Sequence, residues 1–573
     1  MKLRIIFSIV IGLLIQSELY GNKIRGWNIL SNNINCAEKT IFSSKNYNIN
    51  HLELSHHVIH NLYEISDTTR LNQVNRLTSL AHKQGIEKVL IWDHALYGKD
   101  YYPQKFFTKG SDKLNLDDEN LWSWIKNDYS KNLAKVSSID GIVLTFIETG
   151  SRIEDQYSEL YTTSSQKYTK LIKELNSVIH GQFGMDLVLR TFSYNNKELD
   201  NILSVINSFD ENNIYIMIKA SPHDFFNTHP PNFLIDKINK NHRVIIEFDA
   251  AHEYNGQGVV ASIFPNFHFQ RAKYFSKYDN VIGYSIRTDR YGDTSILDTP
   301  IEINLFAIDR GFNNLDFSYV NMINSFISNR YGEELIPKLF RIFDEADDII
   351  MCSFYTLGLN TTRHSQLNFD YRSIYTRHVS GRWLEDPIIY IDNGPNKEYH
   401  FWKDIVNHLS PLKHKTGEGF YKIRSSPSDS ISYKVLNQLE IPDVLSNNWL
   451  DPEELMNEEY LNDIISEKQY AVIKAEELLD LLNDSKKRLS KDQYEIFIGI
   501  FERTLLSARL RESIAAVYYG SRVKTKSEDL KIIIEKNKSR AQKIIKEIED
   551  YNYSYPIGEY DWKLDAQLAK KYL

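Results

Sequence analysis

Charged residues stand at the ends of short apolar runs in this chain. Two such runs, Ile214–Ser221 and Val244–Ala250, contain Lys219 in the first and both Glu247 and Asp249 in the second. A charged group is costly to bury unless it is paired or takes part in a reaction. Because runs of β-branched residues need burial, their charged ends are typical of an active site at the carboxyl ends of barrel strands.

Two carboxyl groups with different proton affinities can hydrolyse a glycosidic bond, one protonating the leaving oxygen and the other activating water. Glu247 is the first candidate for the acid, since it ends an apolar strand and desolvation raises a carboxyl pKa. Glu253, in the following loop, is the rival candidate. Asp289, after the next apolar run, is the candidate base. A salt bridge at the barrel rim with Arg287 or Arg290 is the structural alternative for Asp289.

Cations in the same region indicate an anionic substrate. Arg190 and Lys219 have the chemistry to bind a carboxylate, and the alternative is that they pair with Glu148 or Asp249. We expect Glu148 to orient the acid. Trp92 is expected to stack on a sugar face or to fill the barrel core. The other candidates for substrate contact are Asp93, His94, Asp249, Tyr254 and Arg287.

Elimination is an alternative to hydrolysis. A uronic acid has an acidified proton beside its carboxylate, which a histidine or tyrosine base could remove while a lysine neutralises the carboxylate. The residues that could act as this base are His56, His57, His94, His252 and Tyr254. A barrel that binds sugars without catalysis is a third alternative. The presence of Glu247, Glu253 and Asp289 argues against it.

The elements that must position these residues form a regular alternation. Amphipathic helical stretches separate the apolar runs, as at Thr68–Gln84, Leu121–Val136, Ser165–His180 and Asn196–Ser208. Strands alternating with helices in this way predict a (β/α)8 TIM barrel of the α/β class, followed by a mostly α-helical C-terminal region. The eight predicted strands are Ile24–Ile29, Ile49–Leu54, Lys88–Trp92, Gly141–Phe146, Asp186–Phe192, Ile214–Lys219, Val244–Phe248 and Val281–Ile286.

Four regions are expected along the chain. Residues 1–21 read as a signal peptide, because Lys2 and Arg4 precede the apolar run Ile5–Ile15, which is too short to span a membrane as a mature helix. Residues 22–315 are expected to form the catalytic barrel. Residues 316–450 would hold barrel-associated helices and long ordered loops, and residues 451–573 a C-terminal helical domain. Export to the periplasm or the extracellular space follows from the signal.

Composition narrows the function classes. A net charge of −8 over 573 residues, without a basic block, excludes a typical nucleic-acid-binding protein. Cys36 and Cys352 allow one disulfide or two buried thiols, and no cysteine–histidine cluster has zinc spacing. We therefore expect no metal or other cofactor, no transmembrane anchor, and an oligosaccharide substrate as the partner. The oligomeric state is open, with a homodimer as one option.

Two segments resemble the α-glucuronidases of glycoside hydrolase family 67. Residues 218–225 read IKASPHDF and are similar to the family's strand that ends in Ile-Lys and continues with Gly-Pro and Asp-Phe. Residues 247–257 read EFDAAHEYNGQ and are similar to its Glu-Phe followed by Glu-Tyr-Thr-Gly-Gln. The resemblance implies a TIM barrel and inverting hydrolysis of a uronic-acid glycoside by a glutamate acid and an acidic base.

The resemblance extends over residues 23–379 and more loosely over the helical tail. Residues 146–150 (FIETG) match the family at Glu148, and residues 189–192 (LRTF) match it at Arg190 and Phe192. Residues 288–294 (TDRYGDT) keep the Asp-Arg of the family but lose its Trp-Thr-Gly. The chain is therefore expected to be a divergent relative whose barrel follows the signal directly, without the family's amino-terminal accessory domain.

Overall fold

The computed structural model describes residues 23–145, 148–192, 196–209, 211–221, 224–227, 231–314, 316–356, 359–369, 458–524 and 526–573. The predicted signal peptide, most of the predicted long loops before residue 450, and Phe146, Ile147, Pro222 and His223 lie outside the described residues. In the described part, no helix is long and apolar enough to cross a bilayer.

Eight parallel strands close into a barrel in chain order, which confirms the predicted fold class. The barrel closes where the first strand pairs with the last, with Trp27 opposite Ile286. The strands are β1 (Ile24–Ile29), β2 (His51–Leu54), β3 (Lys88–His94), β4 (Gly141–Thr145), β5 (Asp186–Thr191), β6 (Ile214–Lys219), β7 (Val244–Asp249) and β8 (Val281–Arg287).

Several strands run one or two residues beyond the apolar runs that predicted them. In β7 and β8 the ladder continues to Asp249 and Arg287, which are paired with each other. In β3 it continues to His94, which is paired with Thr145. The charged residues at these strand ends therefore belong to the sheet itself, whose hydrogen bonds fix the backbone beneath them.

Helices surround the barrel and begin where side chains cap their first turns. Asp67 and Thr163, for example, accept hydrogen bonds from the backbone N–H groups of Arg70 and Gln166. The barrel helices are α1 (Ile34–Ser43), α2 (Thr68–Lys83), α3 (Glu119–Leu133), α4 (Ser164–Ile179), α5 (Asn196–Ile206), α6 (Pro265–Phe275) and α7 (Ile303–Asn313).

The barrel interior is an apolar layer that supports the site. It consists of Leu90, Trp92, Val143, Val188, Met217 and Ile245. Because side chains alternate along a strand, the residues two positions further on point into the barrel above this layer. Beyond Trp92, Val143, Val188, Met217 and Ile245 these are His94, Thr145, Arg190, Lys219 and Glu247, so the pleat alone brings five polar residues to the carboxyl end of the barrel.

A helical region follows the barrel, as predicted. Helices α8 (Tyr319–Tyr331) and α9 (Ile336–Phe354) lead to two short hairpins, β9–β10 (Tyr355–Thr356, Leu359–Asn360) and β11–β12 (Thr362–Arg363, Gln366–Leu367). Helix α10 packs between α9 and α11. The remaining helices are α10 (Glu458–Ser485), α11 (Lys491–Arg522), α12 (Glu528–Glu549) and α13 (Leu564–Ala569).

Apolar stripes along α10 and α11 form much of the core of this region. Phe497, Ile500, Phe501, Leu505 and Ala508 of α11 are buried, as are Leu461 and Ile464 of α10. The two cysteines are both buried and free, so the thiol alternative holds and the disulfide alternative does not.

Candidate functional site

Glu247, at the end of β7, lies between Arg190 of β5 and Arg287 of the adjacent strand β8. Its Oε2 accepts a hydrogen bond from Nε of Arg190 at 2.7 Å, and its Oε1 accepts one from Nε of Arg287 at 3.0 Å. All three side chains are at most 3% exposed. The carboxylate is therefore enclosed by both guanidinium groups beneath the surface of the site.

Glu247 was the candidate acid because burial was expected to raise its pKa, and this geometry has the opposite effect. Burial alone would raise its pKa, but Arg190, Arg287 and Lys219 together lower the pKa of Glu247 below its usual value. A carboxyl group that protonates a leaving oxygen must hold its proton near the working pH. The expectation of a raised pKa was wrong, because the apolar run that carries Glu247 is faced by cations from β5, β6 and β8.

Glu253 has the opposite property. It lies in the loop after β7, where its Oε2 accepts a hydrogen bond from Nη1 of Arg287 at 3.1 Å and its Oε1 contacts Arg290. His364, from the β11–β12 hairpin, lies 3.7 Å away. Burial outweighs these cations and, helped by Asp224, raises the pKa of Glu253 to about 7. Glu253 can therefore hold a proton near neutral pH.

Glu559 enters the site from the C-terminal tail, beyond α12. Its Oε2 accepts a hydrogen bond from Nε of Arg290 at 2.7 Å, and its Oε1 lies 2.6 Å from Nδ1 of His364. Burial would raise its pKa, but Arg290 and His364 lower the pKa of Glu559 below its usual value. Glu253 and Glu559 thus share the same two basic residues and differ in proton affinity.

Lys219 closes the site on the β6 side. Its Nζ donates a hydrogen bond to Oδ1 of Asp224 at 2.8 Å and lies 3.8 Å from the centre of the Phe192 ring. Tyr254 donates to the other oxygen of Asp224 at 2.7 Å. Burial lowers the pKa of Lys219, and Asp224 only partly offsets this effect. The predicted partners of Lys219 were Glu148 or Asp249, whereas the structure pairs it with Asp224.

Asp249 and Asp289 are buried acceptors of backbone hydrogen bonds. Asp249 accepts from the N–H groups of Ala251, His252 and Glu253, and so shapes the loop that carries Glu253. Asp289 accepts from Leu30 at 3.2 Å and from Tyr291 at 3.1 Å, and so joins the loop after β8 to β1. Burial raises the pKa of Asp249, and it raises the pKa of Asp289 to about 6.

The three candidates on β3 lie in different surroundings. Trp92 belongs to the barrel interior, donates to Glu53 at 2.9 Å and lies under the Arg190 guanidinium, 4.6 Å from ring centre to Cζ. His94 stacks on the ring of His60 at 3.7 Å. Asp93 points to the opposite side of the strand, where it accepts hydrogen bonds from Leu62, Tyr97 and Tyr129. Asp93 therefore supports the barrel wall.

The water-facing side of the site includes Glu148 and His56. The Glu148 side chain is 45% exposed, and its Oε2 lies 3.7 Å from Nη1 of Arg190. His56 is half-buried beside Trp92, with ring centres 5.1 Å apart. Burial and the nearby Arg287, Arg290 and Arg190 lower the pKa of His56 well below its usual value, so its ring is neutral.

The other two histidines suggested for elimination differ in position. His57 is exposed and stacks on Tyr291 at 3.8 Å. His252 is buried below the loop, and its Nε2 lies 2.8 Å from Nε2 of His268. Burial lowers the pKa of His252 to about 3. His252 therefore packs against α6.

Among the described residues, Glu253, His364 and Glu559 each offer one ligand atom within 4.8 Å of the others, the spacing of a metal site. Arg290 contacts both carboxylates and Arg287 contacts one of them. These guanidinium groups already supply the positive charge that a cation would bring. The donor set therefore fits an arginine-bridged carboxyl pair better than a metal.

Solved structures with a similar fold are glycoside hydrolases. The chain is 9% identical to a variant of the O-GlcNAc hydrolase of Thermobaculum terrenum, with a TM-score of 0.43 over 96% of this chain and 94% of that one. A family 138 enzyme targeting pectin rhamnogalacturonan II is 12% identical, with a TM-score of 0.48 over 94% of this chain and 62% of that one. A family 115 4-O-methyl-α-glucuronidase with specificity for decorated arabinogalactans is 9% identical, with a TM-score of 0.47 over 90% of this chain and 54% of that one.

These likenesses, at low identity, concern the fold alone. No protein-family model and no curated sequence matches the chain. The relationship to family 67 therefore stays an expectation from sequence motifs. The case for a function depends on the side chains at the carboxyl end of the barrel.

Sequence reasoning missed Glu559, Asp224, Arg290 and His364 as functional candidates. Glu559 lies far from the barrel motifs in the sequence, and the residues around it, IGEY, carry no catalytic pattern. Asp224 was noted only as part of the family-like Asp-Phe. Its distance of five residues from Lys219, just after β6, was a signal that the two could pair.

Proposed function

We propose that this protein is an exported glycoside hydrolase that acts on oligosaccharides containing a uronic acid. The observation that carries the proposal is that one guanidinium, that of Arg287, contacts two carboxyl groups with opposite pKa shifts. Glu247 is held ionised, and Glu253 has a pKa of about 7. Carboxyl groups whose environments separate their pKa values are typical of acid–base sites.

The cations of the site support an anionic sugar. Glu247 fixes Arg190 through two nitrogens, while Nη1 of Arg190 has no hydrogen-bond partner among the described residues. Nη1 of Arg290 is likewise without such a partner. Guanidinium nitrogens held in place in this way can bind a carboxylate with little loss of conformational freedom. A uronate carboxylate is the sugar group that matches them.

The roles that follow differ from the first assignment. Glu253 would donate its proton to the glycosidic oxygen, and Glu247 would hold Arg190 and Arg287 in position. Glu148, the most exposed of these carboxyl groups, would accept a proton from the attacking water. Asp289, the earlier candidate, has both oxygens in backbone hydrogen bonds. Attack by water on the anomeric carbon, opposite the leaving group, would invert its configuration.

Elimination is the second candidate, favoured by His56. A ring that stays neutral among three arginines could remove the proton beside a uronate carboxylate that those arginines neutralise. The carbon–oxygen bond to the leaving sugar would then break, with a double bond formed in the uronate. No water is consumed in that reaction.

The test is product analysis on a panel of uronate-bearing oligosaccharides in water enriched in heavy oxygen. Hydrolysis adds one water and places the label at the new reducing end. Elimination adds no water and gives an unsaturated uronate that absorbs ultraviolet light. If hydrolysis occurs, NMR of the first-formed anomer decides between inversion and retention. Products from neutral sugars alone would refute the uronate specificity.

A further inference from the structure

The C-terminal tail is attached to the rim of the barrel through its backbone. After α12 the chain returns, and Asp293 N–H donates to the carbonyl of Ile557 at 3.0 Å. Tyr560 N–H donates to the side chain of Gln257 at 2.8 Å. A Cβ atom on Gly558 would lie 2.6 Å from the carbonyl oxygen of Arg290, so only glycine fits this contact. The tail is therefore seated closely against the loops after β7 and β8.

This seating delivers one carboxylate into the site. Glu559 accepts hydrogen bonds from Nε of Arg290 at 2.7 Å and from Nε2 of Gln257 at 3.1 Å, and it contacts His364 at 2.6 Å. Gln257 bonds both the side chain of Glu559 and the backbone of the residue after it. The carboxylate is thus held at a fixed place by three side chains.

Arg290 connects Glu559 to Glu253. Its Nε faces Glu559 and its Nη2 faces Glu253, so the two glutamates divide one guanidinium between them. His364 is also shared, at 2.6 Å from Glu559 and 3.7 Å from Glu253. Without Glu559, more of the positive charge of both residues would act on Glu253.

We propose that Glu559 is a positioning residue that holds Arg290 and His364, draws their positive charge away from Glu253 and so favours the protonated form of the Glu253 carboxyl. The role of Glu253 as the acid in hydrolysis rests on the proposed function, whereas its protonation does not. The charged and titratable groups around Glu253 come from β8 and the loop after it, the β11–β12 hairpin, the loop after β6, the end of β7 and the tail. They are Arg287, Arg290, His364, Asp224, Asp249 and Glu559.

Protonation of Glu253 can be measured without a substrate, from the carboxylic-acid C=O band in infrared difference spectra of the full chain. Each protein is compared with its own Glu253→Gln derivative, so that only the Glu253 band remains. In the wild type the band should persist to about neutral pH. Loss of the band already at pH 5 would overturn the proposal, and this comparison does not depend on any change at Glu559.

Glu559→Gln removes the charge and keeps the size of the side chain. An opposite charge beside a carboxyl lowers its pKa by about 1–3 pH units, so once Arg290 and His364 are released toward Glu253 the midpoint of the Glu253 band should fall by up to that amount. Glu559→Asp, which keeps the charge, should restore most of the shift. Glu547→Gln, on the exposed face of α12, is the matched control and should leave the midpoint unchanged. An unchanged midpoint in a folded Glu559→Gln would refute the proposal.

Activity provides the second readout. If Glu253 is the acid, the alkaline limb of the pH profile of kcat/KM should move down with the band midpoint in Glu559→Gln, and not in Glu547→Gln. A band that shifts as expected in proteins that hydrolyse no uronoside would support the positioning role and refute the proposed function. An alkaline limb that moves without the band would refute the positioning role.

Discussion

Nη1 of Arg287 lies 3.1 Å from Oε2 of Glu253, and the other nitrogens of the same guanidinium face Glu247 at 2.9–3.0 Å. Glu247 is also bound by Arg190, whereas Glu253 shares Arg290 with Glu559. Glu247 therefore shares Arg287 but is also bound by Arg190, whereas Glu253 shares both of its arginines, Arg287 with Glu247 and Arg290 with Glu559. This asymmetry separates the pKa values of two glutamates that lie on either side of one side chain.

The first prediction concerns the acid. Glu253→Gln keeps the size of the side chain but cannot donate a proton, so hydrolysis of a glycoside with a poor leaving group should fall by about 10²–10⁴-fold. An activated aryl leaving group departs without protonation, so its rate should fall much less. Steady-state kinetics on both substrates measure the difference. Equal losses on both would assign Glu253 to binding or folding instead.

The second prediction concerns Glu247. Glu247→Gln should reduce hydrolysis of both kinds of substrate alike, because it releases Arg190 and Arg287 rather than removing a proton donor. Breaking a buried ion pair costs about 3–5 kcal/mol, so the free energy of unfolding should also fall by several kcal/mol. Chemical denaturation followed by fluorescence measures this change.

Glu38→Gln is the matched control for Glu247→Gln. Glu38 pairs with Arg76 at the surface, where the Arg76 side chain is 61% exposed. An exposed pair contributes about 0–1 kcal/mol, so this change should have little effect. If Glu247→Gln unfolds like the wild type and affects only the poor leaving group, Glu247 is the acid after all.

The sequence was sufficient to predict the barrel because its signals are local. Each strand is a short run of β-branched and apolar residues, and each helix has a periodic apolar face. The placement of Arg190, Lys219 and Glu247 at one end of the barrel also follows from strand direction and the alternation of side chains. Asp93 was expected to contact the substrate because it lies at a strand end, but that position does not show which side of the sheet a side chain faces. Trp92 and His94 face the barrel interior, whereas Asp93 faces the opposite side.

The proton affinities could not be predicted in the same way. The pKa of Glu247 depends on Arg190 and Arg287, which are 57 and 40 residues away in sequence. A strand of apolar residues indicates burial but not which charges face the buried group. Glu559 is 269 residues from Arg290, and its segment joins the site only because the helical region folds back on the barrel. No pattern within either segment encodes that contact.

The third prediction concerns the anionic substrate. Lys219→Met keeps a long unbranched side chain beside Phe192 but removes the ammonium charge that lies over its ring. The rate on a uronate-bearing substrate should fall by at least tenfold more than the rate on its carboxyl-reduced analogue, since only the former presents a carboxylate. Lys88→Met, which removes an exposed lysine from the opposite end of β3, is the control. Equal losses on the two substrates would mean that Lys219 only balances Asp224.

The fourth prediction uses the pH dependence of stability. The pKa of Glu253 is about 7 in the folded protein and near 4.5 in the unfolded chain. The folded state therefore binds the proton more tightly. The stability gained in this way is fully present below pH 4.5 and is lost as the pH rises through about 7.

The measurement is the free energy of unfolding of the wild type minus that of Glu253→Gln, which is neutral at every pH. This difference should fall between about pH 5 and 7, with a slope that approaches about 1.4 kcal/mol per pH unit, and should level off on either side. The free energy of unfolding of the wild type minus that of Asp289→Asn should fall over a lower pH range, because the pKa of Asp289 is about 6. A difference for Glu253 that stays flat over this range would show that its carboxyl is already ionised in the folded protein, since the folded and unfolded states would then bind the same number of protons. Glu253 could not then be the proton donor, and the neutral ring of His56 would become the strongest candidate for proton transfer in the site.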